Sequence, residues 1–175
     1  MSDASWTRAA IFAGFSEEEL ALIAPCLEPV QRPANTAVIV EGEPGDDMFL
    51  LVSGRVRVSK SMLLKGIAAP ILDAERAEKT LVELSDAQSP FFGEMALLDR
   101  DIRSATVTCL TDCRFLRIDR DRFFTFVAEN PVIGVKLLTV LARRLAGVVR
   151  KNNVELVKLT TALALVLSRR GADRK

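Results

Sequence analysis

The apolar residues of this chain change their spacing partway along, and that change limits the folds it can adopt. Between Pro33 and Lys60 they recur at every second position or in short β-branched runs, as strands do. After Asp119 the spacing becomes three and four residues, which is typical of amphipathic helices. We therefore expect a mainly β fold whose strands come before its long helical segment.

Glycine-containing turns divide the β part into short strands. Gly42, Pro44-Gly45 and Gly54 mark turns, and short strands with regular turns predict a small antiparallel sandwich or barrel. Residues 61–79 are interpreted as a long surface loop, with a contact to a partner protein as the alternative. The predicted strands are residues 36–40, 48–53, 55–59, 81–84, 105–110 and 115–118.

Capping signals predict the helices. Ser16 with Glu19 forms a capping box, and Pro25 should end or kink the helix that follows it. A second helix is predicted over residues 119–127. Asn130 caps a third helix, with Pro131 at its first position.

The third helix carries an apolar stripe with coiled-coil spacing. The stripe drifts, or the helix bends, near residues 152–153, and residues 161–168 could form one more helix before a basic tail. The a and d positions are Leu138, Leu141, Leu145, Val148, Asn152 and Leu159, and Leu156 and Leu163 take over beyond Glu155.

Composition excludes several classes of function. The chain of 175 residues has a net charge of +1, which gives no overall attraction to nucleic acid or anionic membranes. It has no histidine, and its three cysteines form no metal or disulfide framework, so we expect no metal, no catalytic residues and no enzyme. No secretory signal is visible, and the apolar stretch 161–168 is too short to span a membrane, which favours the cytoplasm.

One glycine-led, charged block does not alternate and contains the residues suited to ligand chemistry. A cyclic ribose phosphate needs a guanidinium for its charge, a carboxylate for its ribose hydroxyl and close backbone approach. Gly93 permits that approach, Glu94 supplies the carboxylate and Arg103 the guanidinium, while Ser104 adds a hydroxyl and a backbone donor.

The run Phe92-Gly93-Glu94-Met95-Ala96-Leu97-Leu98, followed by Arg103-Ser104-Ala105-Thr106-Val107, resembles the phosphate-binding cassette of the cyclic-nucleotide-binding domain family. The bacterial catabolite activator protein and the protein-kinase regulatory subunits belong to that family. The run Glu41-Gly42-Glu43-Pro44-Gly45-Asp46 resembles its glycine-rich turn. The similarity covers roughly residues 10–155.

The resemblance implies an eight-stranded antiparallel β-roll, jelly-roll-like, with N-terminal helices and a C-terminal lid and dimerisation helix. Residues 1–130 would form the helices and roll, and residues 131–175 the lid helices of the same domain. The ligand would be cAMP or cGMP. The implied ligand-binding residues are Phe92, Gly93, Glu94, Met95, Ala96, Arg103, Ser104, Ala105 and Val149.

Three departures from the family pattern stand out. Ser89-Pro90 replaces a common glycine, and the loop within residues 61–80 is longer. Val148 and Val149 occupy the lid positions at which the catabolite activator protein reads adenine with hydroxyl groups. Valines can pack on a base but cannot hydrogen-bond its edge, so base selectivity should be modest.

The functional hypothesis is a stand-alone sensor that binds a cyclic mononucleotide and signals through its C-terminal helices to an effector protein. A homodimer through the helix starting at Pro131 is expected. Direct sequence-specific DNA binding is not, since residues 153–175 could not supply a two-helix reading unit. The alternative is a ligand-free β-roll scaffold or dimerisation module with a degenerate pocket.

Overall fold

The computed structural model describes residues 4–61 and 78–172. Eight strands lie in these ranges. Short 3-10 turns cover Ala4–Arg8, Ala10–Phe12, Ala24–Cys26 and Asp86–Gln88. The strands are β1 (Glu28–Arg32), β2 (Ala37–Ile39), β3 (Asp47–Ser53), β4 (Arg55–Ser61), β5 (Glu78–Ser85), β6 (Phe91–Phe92), β7 (Thr106–Cys109) and β8 (Cys113–Asp119).

The strands form two antiparallel sheets. Sheet A has the order β1-β8-β3-β6 and sheet B the order β2-β7-β4-β5. Every strand pairing is antiparallel. Two four-stranded antiparallel sheets with flanking helices confirm the predicted β-roll.

The core lies between the two sheets and draws on both. Phe49 and Phe92 stack at 6.2 Å between ring centroids, and Phe115 meets both rings edge-on. Such ring contacts add about 0.5–1.5 kcal/mol to the burial itself. Because β3, β6 and β8 supply these rings, the core holds β6, which leads into the predicted cassette, in place. The buried members are Ile39, Phe49, Leu51, Val56, Phe92, Val107, Cys109, Cys113 and Phe115.

The six predicted strands are present, with ends shifted by a few residues. Two strands were missed. β1 contains Pro29 and no alternating apolar residues, and it lies at the edge of sheet A, where a proline is tolerated. β6 has only two residues, inside the block that does not alternate. Of the predicted loop 61–79, Ser61 ends β4 and Glu78 begins β5, whereas residues 62–77 lie outside the described part.

The capping box predicted for the first helix is confirmed. Ser16 accepts from the backbone N–H of Glu19 and the Glu19 side chain returns to the Ser16 N–H, and α1 (Glu17–Ile23) ends just before Pro25. α3 (Arg120–Glu129) is capped by Asp119. The remaining short helix, α2 (Glu94–Asp99), belongs to the cassette.

The last helix, α4, runs without interruption over Pro131–Ala172. The prediction of a separate helix at residues 161–168 was therefore wrong, and the stripe shifts along one helix instead. The chain divides into two units, residues 1–135 and 136–175, so most of α4 forms the second unit. No helix within the described ranges is long and apolar enough to cross a membrane.

Burial makes the thiol of Cys109 poorly reactive. Burial, with the neighbouring Cys113 next in size, raises the pKa of Cys109 to about 12, and burial also raises the pKa of Cys26. A raised pKa lowers the thiolate fraction, so at pH 8 Cys109 should react with iodoacetamide about three orders of magnitude more slowly than an ordinary thiol. Mass spectrometry of the native and urea-unfolded protein checks this; fast native labelling of Cys109 would contradict it.

Candidate functional site

The predicted cassette is a strand, a sharp turn and a single short helix. β6 ends at Phe92, Gly93 takes the left-handed conformation with φ 89°, and α2 begins at Glu94. A Cβ at position 93 would lie 2.8 Å from the Asp47 carbonyl oxygen and 2.9 Å from Nη1 of Arg103. Both the conformation and the space therefore require glycine at position 93.

Arg103 lies buried beneath the glycine-rich turn. Its Nη1 donates to the backbone carbonyls of Asp47 at 2.7 Å and of Gly93 at 3.4 Å, and Nη2 is paired with the Asp47 carboxylate. Only 8% of the residue is exposed. The Arg103 N–H donates to the Glu43 carbonyl at 2.8 Å, so the backbone of the turn also holds this residue.

Gly45 makes room for that guanidinium. A Cβ at position 45 would lie 2.7 Å from Nη2 of Arg103 and closer still to Nε and Cζ. Sequence reasoning treated Pro44-Gly45 only as a turn. The structure shows that the absence of a side chain at Gly45 decides whether Arg103 fits.

Asp47 links Arg103 to a second arginine that sequence reasoning missed. One carboxylate oxygen of Asp47 pairs with Arg103, and the other accepts from Nε of Arg117. Nη1 of Arg117 lies 3.3 Å from Glu28. The hydrogen bond with Asp47 is the main reason that the pKa of Arg117 is raised, although burial opposes the shift. A row of alternating charges thus leads from Arg103 to the edge of sheet A.

The other predicted site residues are spread around this centre. Glu94 is 7% exposed at the start of α2, and Ala96 is also buried. Phe92 is a core residue, whereas Met95 and Ser104 are exposed and Ala105 is half-buried. Val149 is exposed on the part of α4 that forms the second unit, and its contact with a ligand stays a prediction.

A cleft of about 560 Å³ opens beside Arg103. Its wall contains both arginines of the charge row together with Asp47 and Glu28, and the apolar side chains of Val38, Val40 and Phe49. Of the described cassette residues, only Arg103 lines it. Ligand pockets of small molecules commonly have volumes of this order.

α3 holds the far end of the cassette helix. Nη1 of Arg120 donates to the Leu97 carbonyl at 2.6 Å and to the Leu98 carbonyl, and its guanidinium lies 4.4 Å from the Phe124 ring centroid. A cation at the C-terminal end of a helix satisfies carbonyls that have no partner within it. Nothing local in the sequence marked Arg120 for this role.

No group of three or more Cys, Asp or Glu in the described ranges could hold a metal ion. The arrangement instead presents one buried guanidinium at a close backbone turn, which suits a monoanion with hydroxyl groups nearby.

Comparison with known proteins places this geometry in a family. The family model for the cyclic nucleotide-binding domain matches residues 29–130. The CRP-like cAMP-activated global transcriptional regulator of Mycobacterium tuberculosis is 36% identical over 146 residues, which cover 83% of this chain and 58% of that protein. The cAMP-dependent protein kinase regulatory subunit of Aspergillus niger is 30% identical over 133 residues, 70% of this chain and 28% of that one.

A solved structure shows the same fold. The catabolite activator protein of Thermus thermophilus matches with a TM-score of 0.70 and 28% identity, over 87% of this chain and 63% of that one. This chain thus spans little more than half the length of the Mycobacterium relative. These relatives are regulators. With a family match over more than half of its residues, the chain belongs to the cyclic nucleotide-binding domain family.

Proposed function

We propose that this chain is a regulatory sensor in the cytoplasm that binds a cyclic mononucleotide, cAMP first, and has no catalytic activity. One observation carries the proposal: Arg103 is buried at the cassette position, and Gly45 and Gly93 leave its guanidinium the space it needs. The family membership and the cAMP-activated Mycobacterium relative support cAMP as the first ligand to test.

Calorimetric titration with cAMP, cGMP and a cyclic dinucleotide tests the proposal. Saturable binding of a mononucleotide supports it. The second candidate is a scaffold with a degenerate pocket. It is supported by the ion pair with Asp47, which already gives the Arg103 guanidinium a charged partner. Absence of heat with all three ligands would favour that scaffold.

Discrimination between cAMP and cGMP should be modest. By the family resemblance, Val148 and Val149 of α4 face the purine, and apolar side chains pack on either base without reading its edge. Sharp selectivity requires polar groups that the wrong base leaves unpaired. We expect a preference within about a hundredfold, or about 2.7 kcal/mol. Competition titrations measure it; a preference above about a thousandfold would mean that another residue, such as Ser104, reads the base.

The signal is proposed to leave through α4 to an effector protein, and two copies of α4 are proposed to form a parallel homodimer. Leu141 is fully buried in the single chain, so the exposed part of the stripe, rather than its start, is offered to a second copy. Three leucines of that part are more than half exposed, and with Asn152 they recur at spacings of three and four residues. The exposed members are Leu156, Leu159 and Leu163.

A further inference from the structure

The strand register determines which charged residues are neighbours in the row behind Arg103. Glu28 on β1 stands directly opposite Arg117 on β8, and Phe49 on β3 stands opposite it on the other side. Asp47 precedes Phe49 by two residues, so it is the diagonal neighbour of Arg117 on the same face. Arg117 therefore reaches Glu28 and Asp47 together, and Asp47 in turn reaches Arg103.

The burial of these groups decides how much their charges matter. The side chains of Arg103 and Asp47 are 9% and 11% exposed, whereas those of Arg117 and Glu28 are 32% and 45% exposed. Charges interact strongly in the interior and weakly where water screens them. Glu28 is therefore the screened end of the row, and Arg103, Asp47 and Arg117 are its inner groups.

A cyclic phosphate at Arg103 changes the balance of these inner charges. Arg103 and Asp47 alone sum to zero, so an added phosphate would leave one uncompensated negative charge in a poorly solvated place. Arg117 supplies the missing positive charge. With Arg117 present, two arginines offset one carboxylate and one phosphate.

We propose that Arg117 is a positioning residue for ligand binding: it neutralises Asp47, which leaves the charge of Arg103 available to the anion. Asp47 can then orient the Arg103 guanidinium without cancelling its attraction for phosphate. The inference rests on the proposed function, because it needs an anionic ligand at Arg103.

Arg117→Met tests the role, since methionine keeps an unbranched apolar side chain and removes the charge. We expect the affinity for cAMP to fall by about tenfold. Asp47 keeps Arg103 as a partner in this variant, so the fold does not retain a lone buried charge. Arg117→Lys restores the positive charge and should recover most of the affinity.

The double variant Asp47→Asn with Arg117→Met separates charge from packing. Asparagine is close in shape to aspartate, and the backbone carbonyls of Asp47 and Gly93 that hold Nη1 of Arg103 remain. Arg103 and phosphate then balance each other, so the double variant should bind cAMP within about threefold of the parent. A purely structural role of Arg117 predicts that the second substitution weakens binding further.

Arg57→Met is the matched control. Arg57 is an exposed arginine on β4, and it forms an ion pair with Glu83 at 3.2 Å. β4 belongs to sheet B, whereas the strands of the charge row belong to sheet A. The Arg57→Met variant should bind cAMP with the same affinity as the parent. The thermal melting of every variant should remain cooperative.

The outcomes distinguish this inference from the proposed function. A parent that binds cAMP together with an Arg117→Met variant of equal affinity overturns the inference alone. A double variant that stays as weak as Arg117→Met also overturns it, because Arg117 would then act on the ligand directly or through packing. A parent that binds no cyclic nucleotide removes the anion and overturns both.

Discussion

Arg103→Leu is expected to weaken cAMP binding by about 2–5 kcal/mol, which is very roughly 30-fold to more than 1000-fold. Arg103 is 8% exposed, so the phosphate it serves would lose its counter-charge in a place that water reaches poorly. The substitution also leaves Asp47 with Arg117 as its charged partner and places a carboxylate beside the phosphate. Both effects lower the affinity.

Arg103→Lys should be nearly as harmful. A lysine ammonium is a point charge and cannot make the parallel hydrogen bonds of a planar guanidinium. It also cannot satisfy the Asp47 carbonyl and carboxylate at once while donating to a ligand in the same plane.

Isothermal titration of both variants against the parent measures these losses. Arg57→Leu serves as the control, because it removes an exposed arginine of sheet B. If Arg103→Leu binds cAMP within about threefold of the parent, Arg103 is not the phosphate ligand.

Strands with a clear two-residue period were found from the sequence, and those defined by tertiary pairing were not. Residues 48–53 form a short apolar run that ends before Gly54, and β3 begins one residue earlier. β1, with Pro29 and three polar residues, forms because it pairs with β8, and Val30 is its one residue that favours a strand.

The same division applies to the site. Gly93, Glu94 and Arg103 lie in one short segment, so residue types and spacing were enough to nominate them. Asp47 and Arg117 are 70 residues apart and meet only through the register of β3 and β8. A register shift of one residue would turn Arg117 to the other face, so no local pattern could have identified this pair.

The continuity of α4 also could not be predicted from the local sequence. Asn152 and Asn153 have low helix propensity, and the break in the d positions at Glu155 favoured a bend. The high helix propensity of the leucine, lysine and alanine residues on both sides outweighs the low propensity of the two asparagines. The apolar stripe passes to the neighbouring heptad position and continues along the same helix.

That shifted stripe leads to the second large effect, the loss of the proposed dimer. The parent should scatter light as a particle of twice 19.2 kDa at tens of micromolar. A variant carrying both Leu156→Glu and Leu159→Glu should be monomeric, because each substitution would place a carboxylate in an apolar seam opposite its own copy. Both leucines are at least 60% exposed in the single chain, so the substitutions should leave its melting temperature nearly unchanged.

Val154→Glu is the control, because it introduces a glutamate into the same helix outside the proposed seam. Val154 is 54% exposed and lies two residues after Asn152, which places it about 200° around the helix axis from the seam. This variant should remain dimeric. If it is monomeric instead, the interface lies on the opposite face of α4. A parent that is monomeric at tens of micromolar, with and without cAMP, would refute the homodimer outright.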